Sequence, residues 1–119
     1  MNKICTSIEQ SKKLIELGID MNSADMYWSM DEIPFLAFPV NDIVTDWEYA
    51  EENGMLPAWS LTALLNILRA VSENSVELYY TVGNKWAMEC YALNQKCIAD
   101  EPVDACVAMI EKLGNEELI

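Results

Sequence analysis

The run Pro57-Ala58-Trp59-Ser60-Leu61-Thr62-Ala63-Leu64-Leu65-Asn66-Ile67-Leu68 constrains this chain more than any other stretch. Leu61, Leu64, Leu65 and Leu68 fall at i, i+3, i+4 and i+7, which is one face of an α-helix. Ile67 and Val71 widen that face, and Thr62, Asn66 and Arg69 lie away from it. Ser60 suits the N-cap, because its hydroxyl is placed to accept from an N–H of the next turn. Pro57 is expected to end the preceding structure, and Trp59 to fold back over Ala63 or Leu64 as a hydrophobic staple. Fully burying one such leucine is worth about 1.5–3 kcal/mol. Four of them outweigh any surface ion pair. The expectation is a central core helix that the rest of the chain must cover.

A two-strand pattern lies on each side of it. Upstream, 26–30 is aromatic and strand-like, Asp31-Glu32 interrupts, and 35–38 follows between Pro34 and Pro39. Prolines in those places put the second strand at a sheet edge or keep it very short. Downstream, Val76, Leu78, Tyr80 and Val82 alternate onto one face. Gly83-Asn84 reads as a two-residue hairpin turn. The return, 85–93, sets Trp86, Met88, Cys90 and Ala92 on one face and Ala87, Glu89, Tyr91 and Leu93 on the other. Residues 94–99 read as a connection to the last helix.

Helices are expected at both ends. Thr6-Ser7-Ile8-Glu9 is a capping box, so a helix should run over 7–17 and stop at Gly18. Asp100-Glu101-Pro102 starts another, with acids at the positive end of the dipole and proline in the first turn. Val103, Cys106, Val107, Ile110 and Leu113 give it an apolar stripe, and Gly114 is expected to end it. Thr45-Asp46-Trp47-Glu48 is a second possible capping box, for a two-turn helix over 46–52 closed by Asn53-Gly54. Strands come in pairs here and do not alternate singly with helices. The pattern predicts an α+β fold: one domain over 1–119, an antiparallel sheet of about four strands, and about three main helices packed mainly on one face.

Charge narrows the choice of partners. The 119 residues hold 20 acids and 7 bases, a formal net charge of −13. Between Leu14 and Leu68 there are ten acids and no Lys or Arg. Such a surface repels phosphate, so direct nucleic-acid binding is disfavoured. The plain function of the charge is solubility. The sharper one is docking on a basic protein partner, or imitation of nucleic acid to block a DNA-binding protein. No apolar run reaches the roughly 18 residues of a membrane span, and the N-terminus turns polar too early for a signal peptide. The expectation is a cytoplasmic protein without a membrane partner.

No residue constellation designates a reaction. The chain has no histidine, so no Ser–His or Cys–His nucleophile pair exists. Cys5, Cys90, Cys97 and Cys106 form no C-x-x-C pair, which argues against structural zinc and for free buried thiols. The turn 20–25 is rich in oxygen ligands, but a calcium loop starting at Asp20 would need glycine where Asp25 stands and glutamate where Asp31 stands. Capping of the local backbone is the better reading. There is no glycine-rich phosphate loop, and neither cofactor nor metal is expected. Paired carboxylates leave an acid–base enzyme open as the weakest of three readings, because with 20 acids proximity alone is unspecific.

The candidate partner surface is the acidic, aromatic segment 41–54. Asp42, Asp46, Trp47, Glu48, Glu51 and Glu52 are its candidate binding residues. Tyr27, Trp28, Trp47, Tyr49, Trp59, Tyr79 and Trp86 are too many for one small core, and Trp and Tyr are favoured anchors at interfaces. A patch near Trp47 or Trp28, rimmed by acids, is the expected form.

Four stretches together resemble a known family: Cys5-Thr6-Ser7-Ile8-Glu9-Gln10-Ser11-Lys12-Lys13-Leu14, Ser23-Ala24-Asp25-Met26-Tyr27-Trp28, Pro57-Ala58-Trp59-Ser60-Leu61-Thr62-Ala63-Leu64-Leu65 and Pro102-Val103-Asp104-Ala105-Cys106. The family consists of small uncharacterised bacterial proteins, often encoded near phage or other mobile-element genes. The resemblance spans most of the chain and departs from the family pattern over 41–54. It implies a small soluble accessory protein related to phage and carries over no functional residue.

Overall fold

The computed structural model describes residues 3–29, 35–37 and 54–119. The fold is α+β. Its elements are α1 (Ile8–Glu16), β1 (Met26–Ser29), β2 (Phe35–Ala37), β3 (Met55–Ala58), α2 (Leu61–Val71), β4 (Val76–Tyr80), β5 (Trp86–Cys90), β6 (Gln95–Ala99) and α3 (Pro102–Asn115). Single 3-10 turns cover Met21–Ser23 and Tyr91–Leu93. Among the described residues the expected single sheet of about four strands is instead two antiparallel sheets of three strands, ordered β2-β1-β3 and β4-β5-β6. The expected turn at Asp31-Glu32 and the expected helix over 46–52 lie outside the described residues.

The first sheet gains β3, where Pro57 had been expected to break the chain. Pro57 stands opposite Tyr27 within the strand. A proline has no N–H for a ladder, and β3 tolerates it because among the described strands it borders only β1. The other border of the segment is met by the N-terminus. Cys5 bridges to Ser60, the Thr6 N–H donates to the Trp59 carbonyl at 2.9 Å, and the Trp59 N–H donates to Thr6 Oγ1 at 3.0 Å.

That engagement moves the first cap. Thr6 Oγ1 also shares a hydrogen bond of 2.8 Å with Ser11 Oγ. The capping box therefore falls one residue later. Ser7 Oγ accepts from the Gln10 N–H at 3.1 Å, and Gln10 Oε1 accepts from the Ser7 N–H at 2.9 Å. The helix ends as expected at Gly18, whose φ is +87°. Gly18 N–H donates to the Ile15 carbonyl and Ile19 N–H to that of Leu14, which satisfies two carbonyls the last turn leaves open.

In the second sheet the hairpin is as expected, with a longer loop. Strands end at Tyr80 and Trp86, the Asn84 N–H donates to the Thr81 carbonyl, and Asn84 takes the left-handed conformation at φ 62°. The Thr81 N–H also donates to the Lys85 carbonyl at 2.7 Å, which leaves the three-residue loop 82–84 with asparagine in the position that favours glycine. The expected connection 94–99 is the strand β6, in register with β5 from Gln95 opposite Cys90 to Ala99 opposite Trp86. Asn94, also left-handed at φ 54°, turns the chain back after the 3-10 turn.

The most enclosed helix is α3 and not α2. It packs on α1, α2, β5 and β6. Val103, Ala105, Cys106, Val107, Met109, Ile110 and Leu113 are all buried. From α2 the core takes Ala63, Leu64 and Leu68; Leu61 and Leu65 are half-buried, and Thr62, Asn66 and Arg69 face out as expected. Gly114 does not stop α3, which runs on to Asn115. A Cβ there would meet Leu17 at 3.1 Å, so the glycine lets α3 and the end of α1 approach. Among the described residues no helix is long and apolar enough to cross a membrane.

Candidate functional site

Asp42, Asp46, Trp47, Glu48, Glu51 and Glu52 lie outside the described residues. The described tryptophans serve the fold. Trp59 is fully buried, with its indole N–H donating to Ser23 Oγ at 2.9 Å. Trp28 is half-buried and donates to the Thr6 carbonyl at 3.1 Å. Trp86 packs its ring against Tyr80, centroids 5.3 Å apart. The turn at Asp20 is also local: Asp20 Oδ1 accepts from the Asn22 N–H at 2.9 Å. Among the described residues no three Cys, Asp or Glu side chains gather where they could hold a metal ion.

The surface with unspent chemistry is the outer face of β4-β5-β6. Alternation sends Val76, Leu78, Met88, Cys90, Cys97 and Ala99 inward against the helices. It leaves Glu77 and Tyr79 of β4, Glu89 of β5, and Lys96 and Ile98 of β6 on the other side. Register completes the pattern. Glu77 stands directly opposite Glu89, which stands opposite Lys96; Tyr79 stands opposite Ala87, which stands opposite Ile98. Ala87 is fully buried beneath its larger neighbours, while Ile98 is 55% exposed.

Two carboxylates facing each other across a strand pair repel. Each is held by a tyrosine. The Tyr79 hydroxyl donates to Glu89, and the Tyr91 hydroxyl donates to Glu77 Oε1 at 2.9 Å. Lys96 offsets part of the charge, with its Nζ 4.0 Å from Glu89 Oε1 and 5.7 Å from the centre of the Tyr79 ring. The hydrogen bond to Glu77 pushes the Tyr91 hydroxyl up to about 12, with desolvation and the charges of Glu77 and Glu89 acting in the same direction. Contact with Tyr79 raises the Lys96 ammonium, and the charge of Glu89 adds to this. At neutral pH Tyr91 is therefore a donor and Lys96 is charged.

At the β5–β6 end the face continues into a shallow cleft of about 240 Å³ between Glu89, Tyr91, Asn94 and Lys96. The sequence had placed Glu89 and Tyr91 on one face of the return strand. Their convergence with Glu77, Tyr79 and Lys96 was missed, because it depends on cross-strand register and on β6.

The three buried thiols are not placed to react. Cys5, Cys90 and Cys106 are buried, and all four cysteines are free. Burial pushes the Cys106 thiol up to about 12, and burial with the nearby Asp25 charge pushes Cys5 up to about 11. Burial raises Cys90 and Cys97 as well. Thiols held protonated are poor nucleophiles. Comparison with known proteins found no matching family model, no matching curated protein and no matching solved structure.

Proposed function

We propose that this chain is a small non-enzymatic binding protein of a phage or other mobile element, and that it docks a basic protein partner on the outer face of β4-β5-β6. The association with a mobile element rests on the resemblance of the four sequence stretches. The binding reading is carried by one observation: Glu77 and Glu89 stand opposite each other with tyrosine hydroxyls on both. A guanidinium or ammonium entering between them would relieve the repulsion. Tyr91, 52% exposed, and Ile98 supply rigid apolar area beside that charge, which is the mix found at interface anchors. The overall charge of −13 would speed the approach of a basic partner.

The test is affinity capture from a bacterial host lysate at low and moderate salt, with the wild-type chain and the double variant E77K/E89K. A single basic protein should be retained at low salt, weakened at moderate salt, and lost with the double variant. It should persist with E9K/E16K, which removes as many acids from α1. Capture that ignores E77K/E89K would overturn the assignment of this face.

A further inference from the structure

Beside the leucine stripe of α2, from the flank formed by Ile67 and Val71 round to Ala63 and Ala70, lies a cleft of about 460 Å³. Ala63, Ile67 and Ala70 fall at i, i+4 and i+7, so they form a second stripe along one wall. The other wall is the end of α1 and the turn after it, with Leu17 and Ile19. Two alanines on α2 leave the space that larger side chains would fill. Asp20 and Asn66 bring polar groups to an otherwise mainly apolar lining. The Asn66 side chain is exposed and makes no hydrogen bond among the described residues.

We propose that this cleft binds a small uncharged apolar molecule carrying one hydrogen-bonding group. The volume falls within the range of roughly 300–1,000 Å³ typical of ligand pockets. An apolar wall with a single amide at its edge is the arrangement that orients such a ligand, since an amide serves a donor or an acceptor equally. Charge decides against the commoner apolar ligands, the fatty acids and other anionic amphiphiles. Asp20 is one of the lining residues, and the chain as a whole carries −13. An anion would meet that field, and any charge would lose its hydration against Leu17, Ile19 and Ile67. The cleft shares no lining residue with the Glu77–Glu89 face and stands independently of it.

Two fluorescent probes with the same ring skeleton test this: phenylnaphthylamine, which is uncharged with one N–H, and anilinonaphthalenesulfonate, which adds a sulfonate. Titration of the wild-type chain at low salt should give saturable one-to-one binding of phenylnaphthylamine. The sulfonate should bind weaker by about tenfold or more, because of the field of the acids. Ala70→Phe fills the cleft from an exposed helix position and should abolish phenylnaphthylamine binding while leaving the circular dichroism spectrum unchanged. Ala70→Ser should retain binding, and Asn66→Ala should weaken it several-fold. Unsaturable binding, equal affinity for the two probes, or undiminished binding by a folded Ala70→Phe chain would each overturn the proposal.

Discussion

The carboxylate of Asp25 grips Ser60 at two points: Oδ1 accepts from its backbone N–H at 2.9 Å, and Oδ2 accepts from its hydroxyl. The same hydroxyl oxygen accepts from the Ala63 N–H at 3.2 Å and so caps α2. The start of the leucine helix is thus set by a residue just before β1. Asp25→Ala leaves a backbone donor without its partner and should cost about 1–3 kcal/mol. Ser60→Ala should cost about 0.5–2 kcal/mol, the worth of a cap. Because both act through one hydrogen-bond chain, the double variant should cost less than the sum. Urea midpoints for the four chains measure this, and strict additivity would show that the two residues act separately.

Gly18 and Glu117 occupy equivalent places after α1 and α3, and they should respond to substitution with opposite signs. Both are left-handed, at φ +87° and 58°. The Glu117 N–H donates to the Gly114 carbonyl and the Leu118 N–H to that of Leu113, the same closing pattern as at Gly18. A Cβ in this conformation costs about 1–2 kcal/mol. Gly18→Ala should lose about that much, since no neighbour lies within 4 Å to complicate the change. Glu117→Gly should gain about 0.5 kcal/mol, the strain relieved less the added freedom of the unfolded chain. Thermal midpoints should move down for the first and up for the second.

What the sequence made legible follows a physical division. Ser60, the leucines of α2 and the alternation of β4 and β5 are local signals, and the structure follows them. Thr6 looked like a cap, but its hydroxyl is committed to Ser11 and to the Trp59 N–H, partners a local pattern does not contain. Pro57 looked like a break, but a proline is harmless on a strand that, among the described strands, borders β1 alone, and that border is a property of the assembled sheet. Gly114 looked like a helix stop, but it answers to the side chain of Leu17. Lys96 and Ile98 were passed over because 94–99 was read as a connection, although Cys97 and Ala99 alternate with them as a half-buried strand requires. The candidate face suffered most. Its parts were visible strand by strand, while the meeting of Glu77 with Glu89 exists only in the register.

Trp59 separates packing from hydrogen bonding in one position. Its ring is fully buried in the main core, and its N–H reaches Ser23 Oγ. Trp59→Phe keeps most of the apolar volume and loses that hydrogen bond, so it should cost about 1 kcal/mol plus the smaller ring's lost contacts. Trp59→Ala should cost about 3–5 kcal/mol, in the range of large core truncations. Denaturant melts followed by far-UV circular dichroism measure both without relying on the tryptophan's own fluorescence. A Phe variant as unstable as the Ala variant would show that the hydrogen bond, and not the ring, holds this corner.

The buried thiols should make the fold alkali-sensitive. Cys106 titrates near 9 when unfolded and at about 12 in the fold, and Cys5 at about 11, in both cases with burial as the largest cause. Below pH 9 the folded and unfolded thiols are both protonated, and the stability linked to them is fully present. Above pH 9 the unfolded chain gives up its protons first, so it binds fewer than the folded chain and stability falls with pH. Each thiol contributes a slope of about 1.4 kcal/mol per pH unit while its folded form stays protonated. Tyr91, raised to about 12 mainly by its hydrogen bond to Glu77, acts in the same direction from about pH 10. Stability measured by urea between pH 7 and pH 11 should therefore be flat up to about pH 8.5 and then decline. Cys106→Ala should begin lower, because of the cavity it leaves, and decline less steeply. In the native chain at pH 8 a thiol-specific reagent should label the half-buried Cys97 first. It should reach Cys5, Cys90 and Cys106 only as fast as the fold opens. Rapid labelling of Cys106 without denaturant would contradict its burial and the alkaline slope together.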